Sequence, residues 1–584
     1  MHCKVTRALG ITILITLLAG PFPGRVEAAG PGAIIVSQVG FAPGDSKSAV
    51  FAAPAGTEME PSFNVVEEAT GAVAYQSQEG DVQYYPNGWF SYNSTGDTYL
   101  LDFTRWRAAP GRYVVQSNGA RSFPFAIGPR VYDIRRTAPL EFFSVQQSGV
   151  SVSWRSLDGT TGSHGPDHLD DSRQPRGQDQ GGDDGLLVQQ DLIQLPGAHL
   201  DTTGGWADDG SYNKYMGNTP WAAYLLLLTY EDFTSYWSGV DGNGNGRPDL
   251  LDYVRPALEW MLKMQHSDGS VYERVFNGFR DNFNGRPDLE TDNIPGNTDD
   301  RPLDTDRYAD ITAKSSYAMA TAYRVFGDPR FLDMAVSAWE WAYNNQDSVK
   351  AKRYGGGMYF GDIEIGLTLG AVELHRALAV AEIPDPKYLD YAMAHVQDHL
   401  AAGDWTKPST WDYQQSYVLI RYFELAPGAD QVRIIQQLAG HLDRGIQSQE
   451  RNAYRMNDEW LYGEFGQNDL STSSAGDALW VFGRTAQRKY YDYAVDQMAW
   501  VFGRNPFGKS WLASALMSDY PRILHWRTTA NHPLEGVIVP GAADRDGNGL
   551  PDYTDTGFWA YSEPSINQQA MFIRVMSTLY DASS

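Results

Sequence analysis

In the stretch "GGWADDGSYNKY" (residues 204–215) two adjacent carboxylates, Asp208 and Asp209, follow a glycine pair and Trp206, and Ser211 stands just beyond them. An ionised carboxylate only accepts hydrogen bonds, so it can take a proton from water. A serine hydroxyl can hold a water but cannot accept its proton near neutral pH. Two carboxylates this close repel each other, so one of them should titrate above an ordinary aspartate, which suits a base working nearer neutrality. The plain alternative is a solvated Asp pair in a polar turn. A third carboxylate, Glu563, stands in "YSEPSINQQA", where Pro564 biases its backbone towards an extended conformation. The plain alternative there is a glutamate at the entry of the helix-like run that follows.

Two other acidic stretches have the spacing of a calcium loop. "DRDGNGLPDYTD" places Asp544, Asp546, Asn548, Leu550 (by its carbonyl), Asp552 and Asp555 at positions 1, 3, 5, 7, 9 and 12, with Gly549 at position 6. "DGNGNGRPDLLD" sets Asp241, Asn243, Asn245, Asp249 and Asp252 at the same spacing with fewer carboxylates. Calcium in a structural role is the expectation for both, against a glycine-rich turn capped by aspartate.

Two textures of chain must position these groups. Over residues 33–128, "AIIVSQVGF", "SAVFAA", "FNVVEE", "GAVAYQSQ", "TYLLDF", "GRYVVQS" and "RSFPFAIG" are short and β-rich, with Gly, Pro, Asp and Asn turns between them. That spacing predicts a small β-sandwich. From residue 138 to 584 the apolar period lengthens to that of helices: Leu251, Val254, Leu258, Met261 and Leu262 share one face. "SSYAMATAYRVFGDPRFLDMAVSAWEWAYNN" reads as two helices broken at Gly327-Asp328-Pro329. The pattern of helix, short break, helix recurs along the chain, as a helical barrel or a solenoid would require. Long irregular stretches between the pairs favour a compact barrel with functional loops on one face.

The composition narrows the partners. With 42% hydrophobic and 20% charged residues the chain should be globular. A net charge of −26 argues against nucleic acid. Aromatic residues make up 13% of the chain, and their faces suit either a large core or stacking on sugar rings. Residues 1–28 read as an export signal: Lys4 and Arg7 precede "ALGITILITLLAG", and Val26-Glu27-Ala28 offers a cleavage site. The expected location is secreted or periplasmic, with no membrane attachment after cleavage. The single cysteine, Cys3, lies in that leader, so the mature chain forms no disulfide.

Five stretches in order, "GGWADDGSYNKY", "GRPDLLDYVRPALEWMLKMQ", "VFGRNPFGKSW", "LHWRTTANHP" and "YSEPSINQQA", resemble family 9 glycoside hydrolases. The strand-rich segment, with "VSQVGF" near its start and "RSFPFAIG" at its end, resembles the immunoglobulin-like domain that precedes the catalytic domain in one branch of that family. The resemblance implies an immunoglobulin-like sandwich followed by an (α/α)6 barrel, and hydrolysis of β-linked glycans with inversion. Inversion needs a protonated carboxyl at the leaving oxygen and an ionised one at the water, roughly 6.5–9.5 Å apart.

The same resemblance assigns roles. Glu563 matches the general acid, although Ser562 stands where Asn is usual. Asp208 matches the first Asp of an Asp-x-x-Asp base motif, whose second position, normally the main base, is Ser211 here. Three readings stay open beside the polar turn: Asp208 is the base alone, Asp209 has taken over, or hydrolysis is lost. His525 and Arg527 match sugar-contacting residues. Trp206, Trp460 and Tyr462 are candidate sugar platforms, with core packing the alternative for each. Relatives with this N-terminal domain often carry a zinc site with two cysteines. Ser148 and Asp167 occupy those positions, while His164 and His168 remain, so the expectation is a weaker site or a hydrogen-bonded substitute.

The leading expectation is therefore a secreted inverting glycoside hydrolase acting on a poly- or oligosaccharide. The alternatives are a non-hydrolytic carbohydrate-binding homologue, an exo-acting β-glucosaminidase-type enzyme, and a scaffold using the sandwich. Oligomeric state is not legible.

Overall fold

The computed structural model describes residues 32–53, 62–86, 97–137, 139–171, 200–211, 213–275, 286–295, 299–301, 303–304, 307–349, 363–403, 414–458, 466–523, 533–545 and 551–584. The expected export signal lies outside them. The first part is a two-sheet sandwich. One sheet orders Ala33–Val36, Ser48–Ala52, Thr98–Asp102 and Val82–Tyr85, all antiparallel, with Val36 opposite Ala49 and Val50 opposite Leu100. The other runs through Gly40–Phe41, Phe125–Ile127, Gly111–Ser117, Asn64–Glu67 and Val73–Gln76. Alternate side chains point inward and meet in an aromatic centre: Phe41, Phe103 and Phe125 pack with centroids 5.8–6.0 Å apart.

The second part is an (α/α)6 barrel. Its inner helices are Thr219–Asp232, Ala309–Phe326, Ile363–Val380, Gln415–Tyr422, Asn468–Thr485 and Ile566–Ser583. The first of these carries Leu225, Leu226, Leu227 and Leu228, all fully buried. A helix apolar on every side belongs inside a ring of others. Outer helices such as Asp249–Lys263 and Pro329–Asn344 are amphipathic instead. The break between Phe326 and Pro329 is chemically explicit. Gly327 takes φ 69°, Asp328 caps the next helix by accepting the Arg330 N–H at 3.1 Å, and Pro329 opens it. Asp385-Pro386 repeats the device, with Asp385 accepting the Lys387 N–H at 3.0 Å.

Within the ring, Glu373 joins four inner helices. It accepts from Tyr224 Oη at 2.6 Å and from Arg421 Nε at 2.6 Å, and lies 2.8 Å from Arg324 Nη2. Burial alone would raise its pKa, but the two guanidinium groups hold it well below the usual range.

Sandwich and barrel are joined by hydrogen bonds across a large sequence separation. Gln38 donates from Nε2 to the carbonyls of Gly508 and Asp519, each at 3.1 Å. Its Oε1 accepts the N–H groups of Ser518 and Asp519 at 2.7 and 3.0 Å. Asp45 accepts from Tyr132, just past the last sandwich strand, at 2.6 Å and from Tyr491 of the barrel at 2.8 Å.

Candidate active site

The stretch carrying Asp208 is a turn held from several sides. Gly204 and Gly205 take φ 87° and 80°. A Cβ on Gly205 would stand 2.5 Å from Cγ of Trp260, so only glycine lets the chain pass that indole. Gln146 Nε2 donates to the carbonyls of Ala207 and Asp209 at 3.0 and 2.5 Å. The Asp208 N–H donates to the Asn213 carbonyl at 2.9 Å, closing the loop.

Asp208 itself is almost fully buried, at 4% exposure. Asn218 Nδ2 donates to its Oδ2 at 2.8 Å, and its Oδ1 has no hydrogen-bond partner among the described residues. Burial first, and the neighbouring Asp209 charge second, push its pKa well above the usual carboxylate value, against the lowering effect of Asn218. Asp209 is half-buried and accepts the Ser211 N–H at 2.8 Å. Its pKa is also raised by burial, opposed by hydrogen bonding from Ser211. The Ser211 hydroxyl is turned into the loop, accepting from the N–H and Nδ2 of Asn213, both at 3.3 Å.

Glu563 lies between the short helix Trp559–Ser562 and the inner helix Ile566–Ser583, with extended φ −85° and ψ 110°. That is the conformation Pro564 favours. Ser565 caps the helix that follows, accepting the Gln568 N–H at 3.3 Å. One bond joins this segment to the aspartate loop: the Ile566 N–H donates to the Asp208 carbonyl at 2.9 Å.

Behind the loop lies a buried charge cluster. Lys214 Nζ sits 2.7 Å from Asp171 Oδ2, and Arg301 grips both Asp171 oxygens at 2.8 Å. All three side chains are fully buried. Burial alone would raise the Asp171 pKa, but Arg301 and Lys214 hold it well below the ordinary range; burial lowers Lys214 to about 8 despite Asp171. Lys214 also donates to the carbonyls of Thr202 and Gly204 at 2.8 Å, fixing the approach to Asp208.

Arg301 reaches Ser148 Oγ at 3.4 Å. Ser148 donates to Asp167 at 3.4 Å, and Asp167 accepts the Gly149 N–H at 2.9 Å. His168 Nδ1 lies 4.0 Å from Asp171, and His164 Nδ1 is 2.7 Å from the Gly165 carbonyl. A guanidinium and an ammonium supply the positive charge here and no thiolate is present, so these residues do not fit a tight zinc site.

The other candidates are placed variously. Trp206 is fully buried, its ring 4.8 Å from Phe143, so it packs beneath the loop and offers no face to solvent. Trp460, Tyr462, His525, Arg527, Asp546, Asn548 and Leu550 lie outside the described residues. In the second acidic loop, Asp252 accepts from Nδ2 of Asn243 and Asn245 at 2.9 and 2.7 Å and pairs with Arg247 at 3.2 Å. Asp249 takes the Gly242 N–H, and Asp241 those of Asn245 and Gly246. The side chains converge, but hydrogen bonds and a cation already close the ring.

In the first acidic loop, Asp552 pairs with Ala543 through the backbone, and Asp544 lies beside that bridge. Asp555, expected as the twelfth ligand, accepts from the Arg522 N–H and Tyr553 Oη, both at 3.0 Å, and lies 3.5 Å from Lys509. Its oxygens are thus engaged by Arg522 outside the loop, by Tyr553 within it and by the half-buried Lys509.

Sequence reading missed Asn218, Gln146 and the Asp171–Lys214–Arg301 cluster. Asn218 had a local signal, since it precedes Thr219-Pro220 at a helix start. The cluster had none, because its members are distant in sequence.

Comparison with known proteins follows this geometry. The model of glycosyl hydrolase family 9 matches residues 132–576, and that of the cellulase N-terminal ig-like domain matches residues 29–122. Endoglucanase D of Acetivibrio thermocellus is 27% identical over 385 residues, 60% of this chain and 52% of that protein. The chain thus spans about half the length of the curated relatives it matches first. A solved metagenome-derived family 9 endoglucanase superposes with TM-score 0.74 at 26% identity, covering 94% of this chain and 99% of that one. A Bacteroides ovatus family 9 structure gives TM-score 0.76 at 20% identity, with 94% and 99% covered, a likeness of fold. With the model matching most of the chain and the barrel and sandwich both in place, this chain belongs to glycosyl hydrolase family 9.

Proposed function

We propose that the protein hydrolyses β-linked glucans with inversion, with Glu563 as general acid and Asp208 as general base. The observation that carries this reading is the 2.9 Å bond from the Ile566 N–H to the Asp208 carbonyl, which ties the two carboxylate-bearing segments to each other. Asp208 has one oxygen anchored on Asn218, and its other oxygen, buried and without a partner among the described residues, is the one left to take a proton. The water oxygen attacks the anomeric carbon as its proton passes to Asp208, and the glycosidic oxygen leaves with the proton of Glu563. Asp209 acts through Asp208, since its charge raises the affinity of Asp208 for that proton. The similarity to endoglucanases favours a glucan substrate, cleaved internally. The expected leader places the work outside the cytoplasm, and no described helix is long and apolar enough to cross a membrane.

A second reading has one observation in its favour. Ser211 stands where the family places its main base, and its hydroxyl is spent on Asn213. On that reading the protein binds glycans without cutting them.

The test is incubation of the mature protein with β-glucans, xylans and chitosan oligosaccharides beside Asp208→Asn, Asp209→Asn and Glu563→Gln, measuring released sugars and anomeric configuration. Release that falls by about 10²–10⁴ in Asp208→Asn and Glu563→Gln supports hydrolysis as drawn. Loss in Asp209→Asn alone moves the base to Asp209. No release from any glycan, with glycans still raising the melting temperature, favours the binding protein. Release confined to chitosan oligosaccharides identifies a glucosaminidase.

A further inference from the structure

One carboxylate oxygen from each of Asp170, Asp292 and Asp299 lies within 4.8 Å of the other two. They join two loops far apart in sequence. Asp170 closes the turn before the buried Asp171, while Asp292 and Asp299 belong to the segment that ends at Arg301. Asp170 is fully buried. Thr291 donates to its Oδ2 at 2.6 Å, and its Oδ1 has no hydrogen-bond partner among the described residues. A fully buried carboxylate oxygen without a donor is costly unless a cation meets it. Among the described residues, the nearby cations Arg301 and Lys214 both pair with Asp171.

The loop around the triad is pre-shaped. Asp299 accepts the Asp292 N–H at 2.7 Å, and Asp292 accepts the Ile294 N–H at 2.7 Å. Asn293 accepts the Leu169 N–H at 2.9 Å and donates to the Pro166 carbonyl at 3.2 Å, which seats one loop on the other.

From this geometry we infer that Asp170, Asp292 and Asp299 form a calcium site that pins residues 291–295 and 299–301 against residues 166–171. The three donors are hard oxygens, which selects calcium-class ions over zinc, while the His168 imidazole stands within 4.8 Å of an Asp170 oxygen in a separate grouping with Asp171. Calcium–oxygen bonds of about 2.3–2.6 Å allow ligand oxygens to lie up to about 5 Å apart, wider than magnesium accepts. The site is separate from the two acidic loops at residues 241–252 and 544–555. Because Asp170 adjoins Asp171, which holds Lys214, the ion would brace the approach to Asp208 from behind.

The experiment is calcium titration of the full mature chain after chelator stripping, by calorimetry and by thermal melting. The parent is compared with Asp292→Asn, Asp299→Asn, Asp170→Asn and the control Asp252→Asn. Asp292 is exposed and Asp299 half-buried, so those two variants answer even if Asp170→Asn does not fold. The expected result is one calcium fewer per chain in Asp292→Asn and Asp299→Asn than in the parent, with a smaller calcium-dependent rise in Tm. Asp252→Asn retains that ion. The inference is overturned if the parent binds no calcium, or if Asp292→Asn and Asp299→Asn bind the same number of ions with the same affinity as the parent.

Discussion

Lys214 and Asp171 form an ion pair at 2.7 Å with no solvent exposure on either side chain. Breaking such a pair on one side leaves a buried charge unmatched. Asp171→Asn strands both Lys214 and Arg301, and should destabilise the protein by about 3–5 kcal/mol. Denaturant unfolding measures this, and a loss below about 1 kcal/mol would show that the cluster rearranges freely.

The aspartate pair makes a prediction about pH. A general base must be ionised to act, so the acid limb of kcat/KM against pH follows its pKa. Burial and the Asp209 charge raise the Asp208 pKa. Asp209→Asn removes the second cause, so the limb should move to lower pH, by about one unit for a coupled pair. A limb that stays in place means that Asp209 does not act on the base.

Ser211 gives a prediction of gain. A carboxylate at this position can accept the same two Asn213 donors that the hydroxyl now accepts. Ser211→Asp should raise kcat at least about tenfold if the missing carboxylate limits proton transfer. An unchanged kcat, with the variant folded, would mean that Asp208 already serves fully.

Asp477 predicts a trend in stability. It is buried on an inner helix with Ser416 donating to it at 3.0 Å, and burial pushes its pKa up to about 8. Between pH 4 and 8 the folded state keeps a proton that the unfolded state has lost, so this group lowers stability as pH rises across that window, by about 1.4 kcal/mol per unit at most. Asp477→Asn should flatten the fall and melt higher than the parent at pH 8. Identical pH dependence in the two proteins would exclude Asp477 as the source.

Much of the architecture was legible because local chemistry carries it. Gly327-Asp328-Pro329 states a helix end and a helix start in three residues, and the sandwich strands are set off by their turns. Val82–Tyr85 escaped because Gln83 and Tyr84 face solvent and leave no apolar alternation. In the site, the carboxylates of Asp208, Asp209 and Glu563 could be picked out, while what holds them could not. Arg301 lies 130 residues from Asp171, and a buried arginine looks in sequence like any surface one. Trp206 was ambiguous for a related reason, since whether an indole faces sugar or core depends on Phe143, 63 positions earlier.

The contacts of Gln38 bear on the order of synthesis. Its partners at Ser518 and Asp519 follow it by 480 and 481 positions. At roughly 5–20 residues per second, the Gln38 amide would wait about half a minute to a minute and a half after its own synthesis for them to be made. These contacts at the seam can therefore form only after the Tyr491 contact to Asp45 has become available, and ahead of the synthesis of the closing inner helix Ile566–Ser583. A nascent chain halted between residues 491 and 518 can already set Tyr491 on Asp45 but lacks the partners of Gln38 at Ser518 and Asp519.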